Sequence, residues 1–154
     1  MNTTFLPEEI IYKAEEQWIA EKISELSGGK FKVPKSRKKS YHKEFLHIIE
    51  KNDWNKINFH FELYWYNGGS LSKADKINVF AHLETQFIDK ELNQKARAKF
   101  GLSKGNTLEK EIIFPDFSSE SKATETIRHI VEILNTEKFQ KYAGIADECL
   151  KELF

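Results

Sequence analysis

The chain has 154 residues, with 24 basic and 24 acidic side chains, 40% hydrophobic content, 12 phenylalanines and 3 tryptophans. That length suits one domain able to bury much of its apolar surface, and the aromatic content excludes a disordered chain. Net neutrality removes any global charge argument for nucleic acid, membrane or an acidic partner, so such arguments rest on local patches.

The single cysteine, Cys149, excludes an intramolecular disulfide and fits a reducing cytoplasm. No uninterrupted apolar run approaches the roughly 18 residues of a membrane span. The N-terminus lacks the basic-then-apolar order of a signal peptide, so a cytoplasmic protein without membrane contact is expected.

Taken in order, residues 7–27 predict a helix. Pro7 suits the first helical position, Glu8 and Glu9 complement the dipole, and Gly28-Gly29 end it. Ile11, Ala14, Trp18, Ile19, Ile23 and Leu26 recur at three- and four-residue steps and form the inward stripe. Glu15, Glu16, Glu21 and Glu25 are assigned largely to the solvated remainder.

Residues 30–43 hold Lys30, Lys32, Lys35, Arg37, Lys38, Lys39 and Lys43 and no acid. Clustered cations of this kind either contact phosphates or an acidic protein surface, or serve as a solvated connector. Phe31 and Val33 predict a short edge strand stopped by Pro34. Tyr41, Phe45, Ile48 and Ile49 repeat at helical spacing, so a second helix is expected over about 40–52.

The strongest periodicity follows. Ile57, Phe59, Phe61, Leu63 and Trp65 alternate with Asn58, His60, Glu62, Tyr64 and Tyr66; Ile77, Val79, Ala81 and Leu83 alternate with Asn78, Phe80, His82 and Glu84. A period of two predicts paired strands around the Asn67-Gly68-Gly69-Ser70 loop, each with an apolar face covered by helices. Beyond them, 86–100 predicts a helix stopped by Gly101, and Glu111–Phe114 a short third strand reached by a crossover. A helix capped by Ser118 or Ser119 carries Ala123, Ile127, Ile130, Val131 and Leu134. A last one, with Thr136 as N-cap, carries Phe139, Tyr142, Ala143, Ala146, Cys149, Leu150 and Leu153. The predicted fold is a single α+β domain over residues 1–154, with a central hairpin plus a third strand packed by about five helices, in the order α-α-β-β-α-β-α-α.

Two His-x-Glu pairs, His60/Glu62 and His82/Glu84, project from the same hairpin face. If residues whose numbers sum to 142 are opposite, His60 faces His82 with the carboxylates diagonal to them. Cβ atoms about 5 Å apart would let these four side chains share a zinc, manganese or iron ion. Tyr64, Tyr66 and Phe80 stand on that face too, and aromatic side chains beside Glu62 and Glu84 fit a protein-contact surface. Pro115-Asp116 followed by Glu120-Ser121-Lys122 imitates a metal-nuclease signature, but too few residues intervene to place them on neighbouring strands. His42, His47 and His129 have no ligand partner at useful sequence spacing, and Cys149 sits on an apolar helix stripe that buries its thiol.

No phosphate loop, nucleophile elbow or Cys-x-x-Cys motif occurs. The sequence therefore points to a non-enzymatic binding protein that occupies a protein partner through Tyr64, Tyr66, Phe80, Glu62 and Glu84, by analogy with bacterial or phage immunity and anti-defence inhibitors, and with no cofactor. Nucleic-acid binding through Lys30, Lys32, Lys35, Arg37, Lys38 and Lys39 is the first alternative. A metal-dependent enzyme at His60, Glu62, His82 and Glu84 is the second.

Overall fold

The structure is a computed structural model that describes residues 11–34, 38–40, 43–66, 71–84, 90–102 and 105–154. Helix α1 spans Ile11–Leu26, and strands β1 (Lys38–Ser40) and β2 (Lys43–Ile48) follow. A 3-10 helix, Asn52–Ile57, leads into β3 (Phe59–Tyr66); a 3-10 turn, Leu71–Lys73, precedes β4 (Ile77–Leu83). Then come α2 (Lys90–Lys99), β5 (Thr107–Ile113), α3 (Glu120–Leu134) and α4 (Glu137–Leu153). The five strands form one antiparallel sheet in the order β1-β2-β3-β4-β5. The α+β class, the central hairpin and the strand after α2 are as predicted.

The hairpin pairs in the expected register, with His60 opposite His82, Phe61 opposite Ala81 and Leu63 opposite Val79. The hairpin's inner face is wholly apolar: Phe59, Phe61, Leu63, Trp65, Ile77, Val79, Ala81 and Leu83 are all buried. They merge into a single hydrophobic core with residues of all four helices, including Ile19 and Ile23, Ala96, Ile127 and Ile130, and Phe139 and Ala146. Phe61 is its aromatic hub, with ring centroids 5.5 Å from Trp54, 5.7 Å from Phe59, 5.8 Å from Phe139 and 6.1 Å from Phe31. Cys149 is buried in the same core, where burial pushes its thiol above the usual range.

Four expectations are corrected. The helix predicted over 40–52 is instead strand β2 followed by a bend and the start of the 3-10 helix. Phe45, Ile48 and Ile49 fit helical steps, but Leu46 and Ile48 also alternate with Phe45 and His47. The free edge of β3 supplies backbone partners that decide between the two periods, and Leu46 and Ile48 drop into the core. The edge strand at Phe31–Val33 reduces to one antiparallel bridge, Lys32 with Ile49, beside a fully buried Phe31.

The third strand does not arrive by a crossover. Helix α2 turns the chain back so that β5 lies antiparallel beside β4. Nor is Glu15 solvated: it falls on the stripe of Ile19 and Ile23, is buried, and accepts hydrogen bonds from Ser72 N (3.0 Å) and Ser72 Oγ (2.5 Å). That buried carboxylate ties α1 to the turn between the hairpin strands.

Helix ends follow the sequence signals where they are described; Pro7 to Glu9 lie outside the described residues. Gly28 and Gly29 end α1, and Gly101, at φ +70°, ends α2 with Leu102 N bonded to Arg97 O at 2.9 Å. Ser119 is the cap of α3, its hydroxyl accepting from Lys122 N at 3.2 Å. Thr136 occupies the N-cap position of α4, yet its hydroxyl donates backwards to Ile133 O at 2.6 Å, satisfying the end of α3 instead.

Candidate functional site

The second face of the sheet is polar and aromatic, and its centre is buried as well. The register lays its side chains in rows across the strands. Phe45, Tyr64, Asn78 and Ile112 form one row; His47, Glu62, Phe80 and Lys110 the next; His60 and His82 the third. Opposite the Ala81–His82 step the register shifts, with Leu108 of β5 as the extra residue of a bulge beside His82.

Three histidines converge on one carboxylate. Glu62 Oε1 lies 3.3 Å from His60 Nε2 and 3.5 Å from His47 Nε2; Glu62 Oε2 lies 3.9 Å from His82 Nδ1. The side chains of His60 and Glu62 retain 7% and 6% of their exposure, against 22% for His47 and 14% for His82. The imidazoles stack face to face, His47 on His60 at 3.7 Å and His60 on His82 at 5.2 Å between centroids, with Phe45 on the outer side of His47 at 5.3 Å. Glu84 stands behind His82, its Oε2 3.6 Å from His82 Nε2.

Burial alone would push the Glu62 carboxyl up, but the approach of His47 and His60 and the charge of His82 outweigh it and hold Glu62 down at about 2. Burial lowers His60 below its ordinary range, with only partial compensation from Glu62. At neutral pH the centre therefore holds an ionised carboxylate beside a neutral imidazole. Two of its buried nitrogens, His47 Nε2 and His82 Nδ1, have no hydrogen-bond partner.

Of the residues predicted as metal ligands, His60 and Glu62 meet directly and His82 faces them, while Glu84 stands on the far side of His82. His47 was missed: it lies in the segment read as a helix, and its alternation with Leu46 and Ile48 was the signal for its place on this face. Of the predicted contact residues, Tyr66 is exposed, Tyr64 and Phe80 are half-buried, and Glu62 is buried behind them at 4% exposure. Tyr64 contacts both Tyr66 (5.6 Å, edge-on) and Phe80 (5.5 Å), and the Lys110 amine sits 5.9 Å over the Phe80 ring. Strand β5 and the residue just after it add two exposed apolar side chains that the sequence reading left unassigned, Ile112 (42%) and Phe114 (79%). Tyr66, Asp75, Lys76 and Phe114 together line a shallow depression at that end of the sheet.

The basic segment is dispersed. Lys30 donates to Asn135 Oδ1 at 2.9 Å and lies 4.0 Å from Glu50; Lys32 is exposed; Lys38 and Lys39 belong to β1; Lys35 and Arg37 lie outside the described residues. The nuclease-like spacing is a helix entrance: Asp116 accepts from Ser118 N (3.0 Å) and Ser118 Oγ (2.6 Å), and Glu120 begins α3. His129 is exposed on α3, and no helix among the described residues is long and apolar enough to cross a membrane. Comparisons with protein-family models, with curated proteins and with solved structures find no match to this chain.

Proposed function

We propose that the protein acts by occupying a protein partner in the cytoplasm, in the manner of a small inhibitor or immunity protein, and that it does so without catalysis. The observation that carries this reading is the apolar end of the second sheet face, where Tyr66, Ile112 and Phe114 are exposed beside Tyr64 and Phe80. Aromatic side chains offer a large contact area with few rotamers to freeze, and Lys76, Asp75 and Lys110 supply the polar rim that such surfaces carry. Glu62 is withdrawn from the contact set by its burial, and Glu84 stands at the far end of the face.

The test is affinity capture from the native cell with and without nuclease treatment, using the wild type and a Tyr66→Ala, Phe114→Ala double variant. Both side chains are exposed enough to truncate without opening the core. A protein retained by the wild type after nuclease treatment should bind the variant at least about tenfold more weakly, the loss expected from removing two aromatic anchors. Equal affinity for the variant would sink this surface, and a capture abolished by nuclease would turn attention to the lysines of residues 30–39.

A further inference from the structure

We propose that His47, His60 and Glu62 form a binding site for one divalent late first-row transition ion of the zinc class, with His82 completing the ligand set from β4. The three ligand atoms of His47, His60 and Glu62 lie within 4.8 Å of one another, and this is the one such group among the described residues. The site is separate from the aromatic surface in what it binds, although the same strands build both.

The donor spacing suits an ion once the stacked His47 and His60 rings turn so that both Nε2 lone pairs meet at it. An imidazole–carboxylate hydrogen bond carrying charge closes to about 2.7–2.9 Å. A tetrahedral ion with bonds of about 2.0–2.1 Å to nitrogen and oxygen instead holds its donors about 3.3–3.4 Å apart. The observed separations from Glu62 Oε1, 3.3 Å to His60 Nε2 (a long hydrogen bond) and 3.5 Å to His47 Nε2, lie at the spacing an ion would span.

Two further observations point the same way. His47 Nε2 and His82 Nδ1 are buried nitrogens without hydrogen-bond partners, both on the carboxylate side of their rings. A buried donor or acceptor left unmade is costly, and a ligand bond removes that cost. The Glu62 carboxylate is also an anion withdrawn from water, its ion-pair neighbours among the described residues being histidines and not lysine or arginine. A divalent ion would neutralise it.

The donor set selects the metal class. Imidazole nitrogen with one carboxylate suits zinc, copper, iron, cobalt or nickel, whereas magnesium and calcium need six or more oxygens. If His82 binds through Nδ1, its Nε2 remains free to face Glu84, 3.6 Å away, the arrangement by which a carboxylate orients a ligating histidine. Glu84 is therefore a positioning residue here and not a ligand. With His60 and Glu62 nine-tenths buried, the ion would join β2, β3 and β4 and contribute to stability, with little access for a substrate.

The test uses the full chain stripped with chelator and titrated with cobalt(II), then with zinc. One cobalt per chain is expected, with the visible absorption of four- or five-coordinate cobalt, displaced by one equivalent of zinc. X-ray absorption of the zinc-loaded wild type should show at least two imidazoles. His47→Ala and Glu62→Gln should each weaken zinc binding at least about tenfold, while His129→Ala leaves it unchanged. No saturable uptake, a wild-type spectrum poor in imidazole, or a loss caused by His129→Ala alone (an adventitious surface ion) would each overturn the site. Because the spectra are read on the wild type, a variant that fails to fold does not decide the outcome.

Discussion

Glu62 is an ionised carboxylate inside a sheet face, and its neighbours determine how the fold responds to acid. Its carboxyl is held at about 2, against 4.5 in an unfolded chain, a difference worth about 3 kcal/mol. A depressed folded pKa means that this stability is present above 4.5 and lost as pH falls towards 2. His60 acts in the same direction at higher pH. Its folded pKa lies below 6.5, so the unfolded chain takes up that proton first and stability begins to fall once pH drops below 6.5. The metal-free chain should therefore show two descending phases in urea midpoint against pH, one below 6.5 and one between 4.5 and about 2. In Glu62→Gln the lower phase should shrink, leaving the contribution of Asp116, whose carboxyl the Ser118 hydrogen bonds also hold down. A midpoint that stays flat from about pH 7 to about pH 3 would mean that neither group is held as described.

Much of this centre could be read from residue spacing. Alternation placed His60, Glu62 and His82 on one face, and the facing of His60 and His82 followed from the register. What could not be read was depth. The same alternation suits an open polar face and a buried one, because period two says which residues share a side and not how deeply that side is covered. His47 was hidden for a different reason: its strand depends on pairing with β3, a tertiary contact that local spacing does not report.

At the scale of elements, strands with a single strict period were recovered and the segment with two compatible periods was not. Phe45 to Ile49 satisfies helical and strand spacing alike, and only the edge of β3 chooses between them. The ends of α2 and α3 were set by local chemistry and so were predictable. Gly101→Ala should cost about 1–2 kcal/mol, because a Cβ disfavours the left-handed backbone at φ +70° even though no neighbouring atom lies within 4 Å of where that Cβ would sit; a chemical denaturation curve reads it directly. Phe61→Ala tests a packing term instead. Its ring meets aromatic side chains from the bridge region, the 3-10 helix, β3 and α4, so truncation should cost about 3–5 kcal/mol. A cost below about 1 kcal/mol would mean that the sheet and α4 do not share one core.

For the whole molecule, the sheet is buried most deeply at its middle and thins towards both edges. β3 and β4 are covered on the apolar face by helices, and on the other face His60, Glu62 and Asn78 are buried too. β1 has three residues and a single partner strand, and β5 is mostly exposed or half-buried, with only Ile113 buried. Local opening follows such gradients, because a segment with few buried contacts can separate without breaking the core. Amide hydrogen exchange should therefore be slowest at Phe61, Leu63, Val79 and Ala81, where opening requires global unfolding. It should be markedly faster through β1 and at the outward-facing amides of β5. The two central strands should also exchange together, since each is the other's partner along Phe59–Tyr64. If β1 or β5 were protected as strongly as β3, the core would extend to the sheet edges, and the exposed apolar residues at β5 would no longer define the available contact surface. If β3 and β4 exchanged as fast as the edges, the buried histidine–carboxylate centre would lack the rigid support that an ion site needs.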